Sequence, residues 1–106
     1  MANPPAFSDP DSVTSPLFTD VPSDAGGVHS NSGVANKADF LITDGGTFNS
    51  QTITGLGTTK APAIWYQVET AYLLSGSDYA NLGTALNAAC SDLIGGSQGI
   101  TSGDCT

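Results

Sequence analysis

The chain has 106 residues, with 2 Lys plus Arg against 10 Asp plus Glu, one His and two Cys. A formal net charge of −8 excludes a polyphosphate partner, which needs cations to displace its counterions, and an anionic membrane surface, which recruits Lys and Arg clusters. A single His also excludes a zinc enzyme built by the usual ligand set within these residues, because such sites take three protein ligands, largely His.

Residues 1–27 read as an irregular connector. They hold five of the six prolines (Pro4, Pro5, Pro10, Pro16, Pro22) and the runs Asp9-Pro10-Asp11 and Ala25-Gly26-Gly27. Proline removes a donor and restricts the residue before it, so neither a long helix nor a central strand persists here. A structureless start of this length is expected to lie over a surface supplied by something else. Met1 to Pro5 carries neither the positive nor the apolar region of a signal peptide. If the protein is exported, its signal lies outside these residues. No run approaches the ~20 apolar residues of a membrane span.

From Asn31 the pattern becomes helical. Val34, Ala35, Ala38, Leu41 and Ile42 recur on one face, Ser30 or Asn31 is the expected N-cap, and Asp44-Gly45-Gly46 ends the helix. Residues 47–57 alternate poorly and predict a short extended excursion or loop. A second helix follows a cap at Thr58 or Thr59, with Pro62 in its first turn and Ile64, Trp65, Val68, Ala71, Tyr72 and Leu73 on its apolar face. Core packing is the default for Trp65, Tyr66 and Tyr72. After Ser75-Gly76-Ser77-Asp78, a third helix runs from about Tyr79 to Leu93, with Leu82, Ala85, Leu86, Ala89, Cys90 and Leu93 inward. Gly95 onward predicts loop, with no final packed element. The expectation is a mainly α fold, a small bundle of three or more helices with little sheet, its helical part spanning residues 28–106.

The two cysteines, Cys90 and Cys105, permit one disulfide closing a short loop, worth roughly 3 kcal/mol in the chain-entropy model. The alternative is two free thiols. The disulfide is favoured because the Gly/Ser-rich tail carrying Cys105 otherwise has little to hold it.

The one His stands in Asp24-Ala25-Gly26-Gly27-Val28-His29-Ser30-Asn31. Paired glycines accept positive φ and close approach of backbone. His29 comes just before a helix start, and Asp24 is near enough to fold back onto one imidazole nitrogen. Such a pair fixes the tautomer and supports an imidazolium, a positioned donor for an oxyanion. The bland alternative is a capped loop with a solvent-facing His. Other patterns carry less. Gly95-Gly96-Ser97-Gln98-Gly99 satisfies G-x-S-x-G but follows a helix, where the hydrolase elbow follows a strand. Gly55-Leu56-Gly57-Thr58-Thr59-Lys60 lacks the order of a phosphate loop and reads as helix entry. Asp9, Asp11, Asp20 and Asp24 lack the spacing of a twelve-residue calcium loop and read as turn chemistry.

Read together, Asp24-x-Gly-Gly-Val-His29-x-Asn-Ser-Gly33 and Asn36-Lys37-Ala38 resemble the catalytic-histidine segment of the thermolysin-like neutral zinc metalloproteases of the bacillolysin type. The likeness runs in order along essentially the whole chain. Asn3-Pro4 through Phe7-x-Asp9-Pro10-Asp11 is similar to the family's connector, with Ser8 in place of the usual glycine. Ile53-Thr54-Gly55-Leu56-Gly57, Lys60-Ala61 and Ile64-Trp65-Tyr66 are similar to its next helix, with Gln67 where arginine is common. Tyr72-Leu73 and Leu86 to Leu93 continue it.

The resemblance implies a C-terminal helical lobe forming one wall of a cleft that hydrolyses peptide bonds. In it, His29 would hydrogen-bond the oxyanion and Asp24 would orient His29. It implies zinc in the full-length enzyme, with ligands outside this chain, and leaves calcium possible there. It implies no metal in this fragment. The partners implied are a peptide or protein substrate and an N-terminal zinc-binding lobe, and the location implied is extracellular. It also implies a chain cut at both ends, since the family's substrate-gripping arginine precedes the position of Met1 and its last helix follows Thr106. The other reading is a stand-alone, non-catalytic helical binding or structural module of the same fold, motivated by the missing ligands. The sequence encoded upstream of Met1 separates the two.

Overall fold

The computed structural model describes residues 1–106, which form two compact units, Met1–Gly55 and Leu56–Thr106. In the first unit the chain begins with a 3-10 turn at Pro4–Phe7, and a second such turn, Pro22–Asp24, precedes the helix α1, Ser32–Asp44. Pro4 and Pro10 are fully buried. Both lie on the first turn of α1, where Gly33 leaves room: a Cβ there would stand 2.4 Å from the Pro10 carbonyl oxygen and 3.2 Å from the Pro4 Cβ. The Lys37 Nζ donates to the Ala2 carbonyl at 2.8 Å and lies 5.0 Å from the Phe48 ring centroid. The proline-rich start is thus held by hydrophobic burial and one cation.

α1 ends at Gly45, whose φ of 77° and extended ψ break the helix and start a strand. β1 (Gly45–Phe48) pairs antiparallel with β2 (Gln51–Thr54), in the register Gly45 with Thr54 through Phe48 with Gln51. The two-residue turn Asn49-Ser50 has both φ values positive, at 47° and 62°, the arrangement that matches hairpin twist. This hairpin replaces the poorly formed excursion expected over residues 47–57. It is the whole of the sheet, so the mainly α reading holds.

In the second unit, α2 (Gly57–Ala71) packs on α3 (Tyr79–Asp92). Ala61, Ile64 and Val68 are buried on α2, and Ala85, Ala89 and Cys90 on α3, with Leu82, Leu86 and Leu93 packed around them. The apolar period of the sequence therefore identified the face of α3 correctly. α2 starts at Gly57, earlier than the expected threonine cap, which puts Pro62 inside the helix beyond its first turn. Tyr66 is 70% exposed and not core. The Tyr72 hydroxyl donates to the Asp92 carboxylate, which also accepts from Gln67 at 3.3 Å, and this carboxylate holds the phenol above its usual range. The Trp65 Nε1 is buried without a hydrogen-bond partner. Asp78 caps α3 through a reciprocal pair of bonds with Asn81.

The tail is packed, contrary to the loop expected from Gly95. Ile100 is 2% exposed, within the core of this unit, and bridges Ile94. A 3-10 turn at Ser102–Cys105 has its own capping box between Thr101 and Asp104. Cys105 is bonded to Cys90 on α3, and Asp104 accepts from Lys60 on α2 at 2.7 Å. The disulfide expected from the sequence is present. It is one of three anchors, because a Gly/Ser-rich segment hides the single Ile that makes it pack.

Candidate functional site

The site begins with a reversal of the chain. After the turn at Pro22–Asp24, Ala25, Gly26 and Gly27 take φ values of 46°, 84° and 86° in succession. Ala25 holds a left-handed conformation that costs a Cβ-bearing residue free energy, and such strain is retained where the surroundings enforce it. The Asp24 carbonyl accepts from the Gly27 and Val28 amides at 2.8 and 3.0 Å, closing the reversal. The chain then runs back past the Asp24 side chain and enters α1.

Asp24 uses both carboxylate oxygens. Oδ1 lies 2.5 Å from Nδ1 of His29, while Oδ2 accepts from the amides of His29 and Ser30, each at 3.2 Å. An ionised carboxylate only accepts, so this contact requires the ring proton on Nδ1. The His29 bond, reinforced by the Ser30 amide, holds the Asp24 carboxyl below its ordinary range. Exposure divides the pair unequally: the Asp24 side chain is 20% exposed and that of His29 is 90% exposed. The ring is therefore gripped on one edge and bathed on the other. Its Nε2 edge presents a donor or acceptor to whatever approaches from solvent.

Both site residues expected from the sequence, His29 and Asp24, are thus brought together. The sequence gives Asn31 a cap role and a place in the family-like motif, but no partner for its side chain. It occupies the N-cap position but makes no side-chain cap bond. Its Oδ1 accepts from the Thr19 amide at 3.0 Å and its Nδ2 donates to the Thr19 carbonyl at 2.6 Å. Gly27 fits against the same place, since a Cβ would stand 2.3 Å from the Thr19 oxygen and 2.5 Å from the Asn31 Nδ2. No local pattern announces a bond between residues twelve apart through an irregular segment. The signals in the sequence are a strong cap residue, the two glycines before it and its place in the family-like motif, none of which names Thr19.

No group of three or more His, Cys, Asp or Glu converges in the chain to hold a metal ion. The remaining G-x-S-x-G match also fails on geometry, because Ser97 sits in the turn between the Ile94–Ile100 bridge residues and not between a strand and a helix.

Residues 1–102 match the family described as the thermolysin metallopeptidase, alpha-helical domain. The chain belongs to that family. This thermolysin-type helical domain is 50% identical over 84 residues to a zinc metalloproteinase of Renibacterium salmoninarum, covering 78% of the chain and 15% of that protein. It is 38% identical over 95 residues to a bacillolysin of Bacillus cereus, covering 90% of the chain and 16% of the relative. It is equally similar, at 38% over 95 residues, to a thermolysin of Alicyclobacillus acidocaldarius subsp. acidocaldarius, covering 90% of the chain and 17% of that protein. The domain thus spans 15 to 17% of the length of these curated relatives.

Proposed function

We propose that the chain is the C-terminal helical lobe of a secreted zinc endopeptidase and that it contributes His29 and Asp24 to peptide-bond hydrolysis. The observation that carries this reading is the half-held imidazole, fixed at Nδ1 by a carboxylate and exposed at its other edge. When the ring is protonated, both nitrogens donate. Nε2 would then hydrogen-bond the oxyanion that develops on the scissile carbonyl, while Asp24 keeps the ring oriented and stabilises its positive charge. A donor held in place beforehand is not reorganised during the reaction, which is why such groups favour the transition state over the bound substrate.

The residues of this chain do not fit a zinc ion. The one imidazole is engaged by Asp24, and no cluster of ligating side chains accompanies it. Zinc, the residues that bind it and any calcium would belong to the rest of the protease, in an N-terminal lobe. Residues 1–27 would serve as the connector to that lobe and residues 28–106 as the helical wall of the cleft. Phe7, Val13, Val21 and Val28 are exposed apolar side chains, at 68, 52, 43 and 59%, that such a lobe would cover in part. The disulfide supports an oxidising, extracellular location.

The test is kinetic. The chain is joined to the zinc-binding lobe of its own protease, and hydrolysis of a neutral peptide is compared for wild type and His29→Ala. An oxyanion donor is typically worth about 100- to 1000-fold in kcat, and a loss of that order is expected with KM little changed. A loss below about tenfold would remove His29 from this role.

A further inference from the structure

Asn31 is 8% exposed, the only polar side chain in the buried set. A residue serving only to start α1 would turn its side-chain oxygen to the free amides of the first turn. Asn31 turns it away and spends both ends of its amide on the backbone of Thr19. The segment enclosed between them, residues 20–30, contains Asp24 and His29. Its own internal bonds are short-range, among them Asp24 to Val21, Gly27 and Val28 to Asp24, and Asn31 to Gly27, the last joining the loop to the start of α1. Such turns set the course of the chain from Val21 into α1, and the Thr19 bonds brace that course against the segment before it.

The close approach of Gly27 supports that brace from inside the loop. The Asp24 carboxylate must meet the amides of residues 29 and 30 and the ring of His29 at once. That requires the Asp24 turn and the beginning of α1 to be held at a fixed separation, which the brace at Thr19 keeps from drifting.

We infer that Asn31 is a positioning residue: its bidentate clamp on the Thr19 backbone sets the Asp24 loop against the start of α1 so that Asp24 grips His29 at Nδ1. The inference rests on the role proposed above for His29 only for its catalytic meaning. The pair itself is observable without catalysis.

His29 is the sole histidine, so histidine-selective 15N labelling yields two ring signals from one residue. In the wild-type chain the neutral ring carries its proton on Nδ1. Asn31→Ala is expected to lower the Nδ1–H to Nε2–H ratio by about tenfold or more, toward the value of Asp24→Asn, since a hydrogen bond to a charged group is worth more than one such factor. The Asp24 carboxyl 13C midpoint should rise toward the ordinary range, with amide protection in α1 and the hairpin retained. Asn31→Asp, which is isosteric and keeps the acceptor for the Thr19 amide, should give an intermediate ratio. An unchanged ratio in a folded Asn31→Ala chain would overturn the clamp. Should that variant lose the fold of its unit, Asn31→Asp decides, and a wild-type ratio there would overturn it.

In the complete protease, Asn31→Ala should lower kcat by about 10- to 100-fold, the scale of a misplaced catalytic group. A broken pair with undiminished kcat would uphold the clamp and reject the role of His29. An intact pair with Asn31 removed would reject the clamp and leave that role standing.

Discussion

Two carboxylates in this chain do similar chemistry to different ends. Asp104 in the second unit accepts from Lys60 and from the Thr101 amide, and Asp24 in the first accepts from His29 and the Ser30 amide. Both are held below the ordinary carboxyl range, each chiefly by the hydrogen bond from its side-chain partner, Lys60 or His29. Their partners differ in exposure: the Lys60 side chain is 27% exposed and that of His29 is 90%. The Lys60 pair stands beside a disulfide and a buried Ile100, and all three fasten a tail that composition alone would leave loose. The His29 pair fastens nothing comparable. It restrains one edge of a ring and leaves the rest to solvent, at the cost of a left-handed alanine. On the role proposed for His29, the shielded pair serves stability, whereas the other orients a group and leaves it accessible.

Substitutions sharpen this contrast. Asp24→Asn in the assembled protease should reduce kcat by about 100-fold or more, because the ring loses both its orientation and its counter-charge. Asp104→Asn should leave kcat unchanged and lower the melting temperature of the second unit. Equal effects of the two on catalysis would erase the distinction. Ile100→Ala should destabilise that unit by about 2–4 kcal/mol, measured by denaturant unfolding, as burial at 2% exposure implies. Removing the disulfide by the paired change of Cys90 and Cys105 to serine should cost roughly 3 kcal/mol for its short loop, and should leave the His29 ring signals unmoved. Asp78→Ala, which deletes the cap of α3, should cost about 1 kcal/mol.

The smallest expected effect is on pH dependence. Asp24 and Asp104 titrate lower in the folded chain than when unfolded, so the stability they contribute is complete above the ordinary carboxyl range. It is lost as pH falls through the lowered folded values. Acid titration followed at the Ser30 and Thr101 amides should show both contacts released in that acidic window. Asp24→Asn should abolish the change at Ser30 alone.

The elements legible in the sequence were those with local causes. α3 repeats its apolar residues at helical spacing and opens on a strong cap, and both are realised. The Asp24–His29 pair spans five residues and two glycines, short enough to read directly. The hairpin was missed because β1 is Gly-Gly-Thr-Phe, with no alternation to mark a strand, and its turn carries a serine at positive φ. The packed tail was missed because its fixing contacts join residues far apart, Lys60 to Asp104 across 44 positions. The Asn31 clamp was hidden for a related reason. Its residue type also suits a helix cap, and only the fold shows which partner the amide takes.

The central claim is that His29 acts on the oxyanion and not on the substrate as bound. It is tested most directly by comparing two inhibitors of the assembled protease in wild type and His29→Ala. One is a tetrahedral phosphonate peptide that mimics the transition state, and the other is the corresponding product peptide. The account predicts that the substitution weakens the phosphonate by about 100-fold or more and the product peptide hardly at all, since interactions made in the transition state alone discriminate in this way. Equal weakening of the two, or none for the phosphonate, would contradict it.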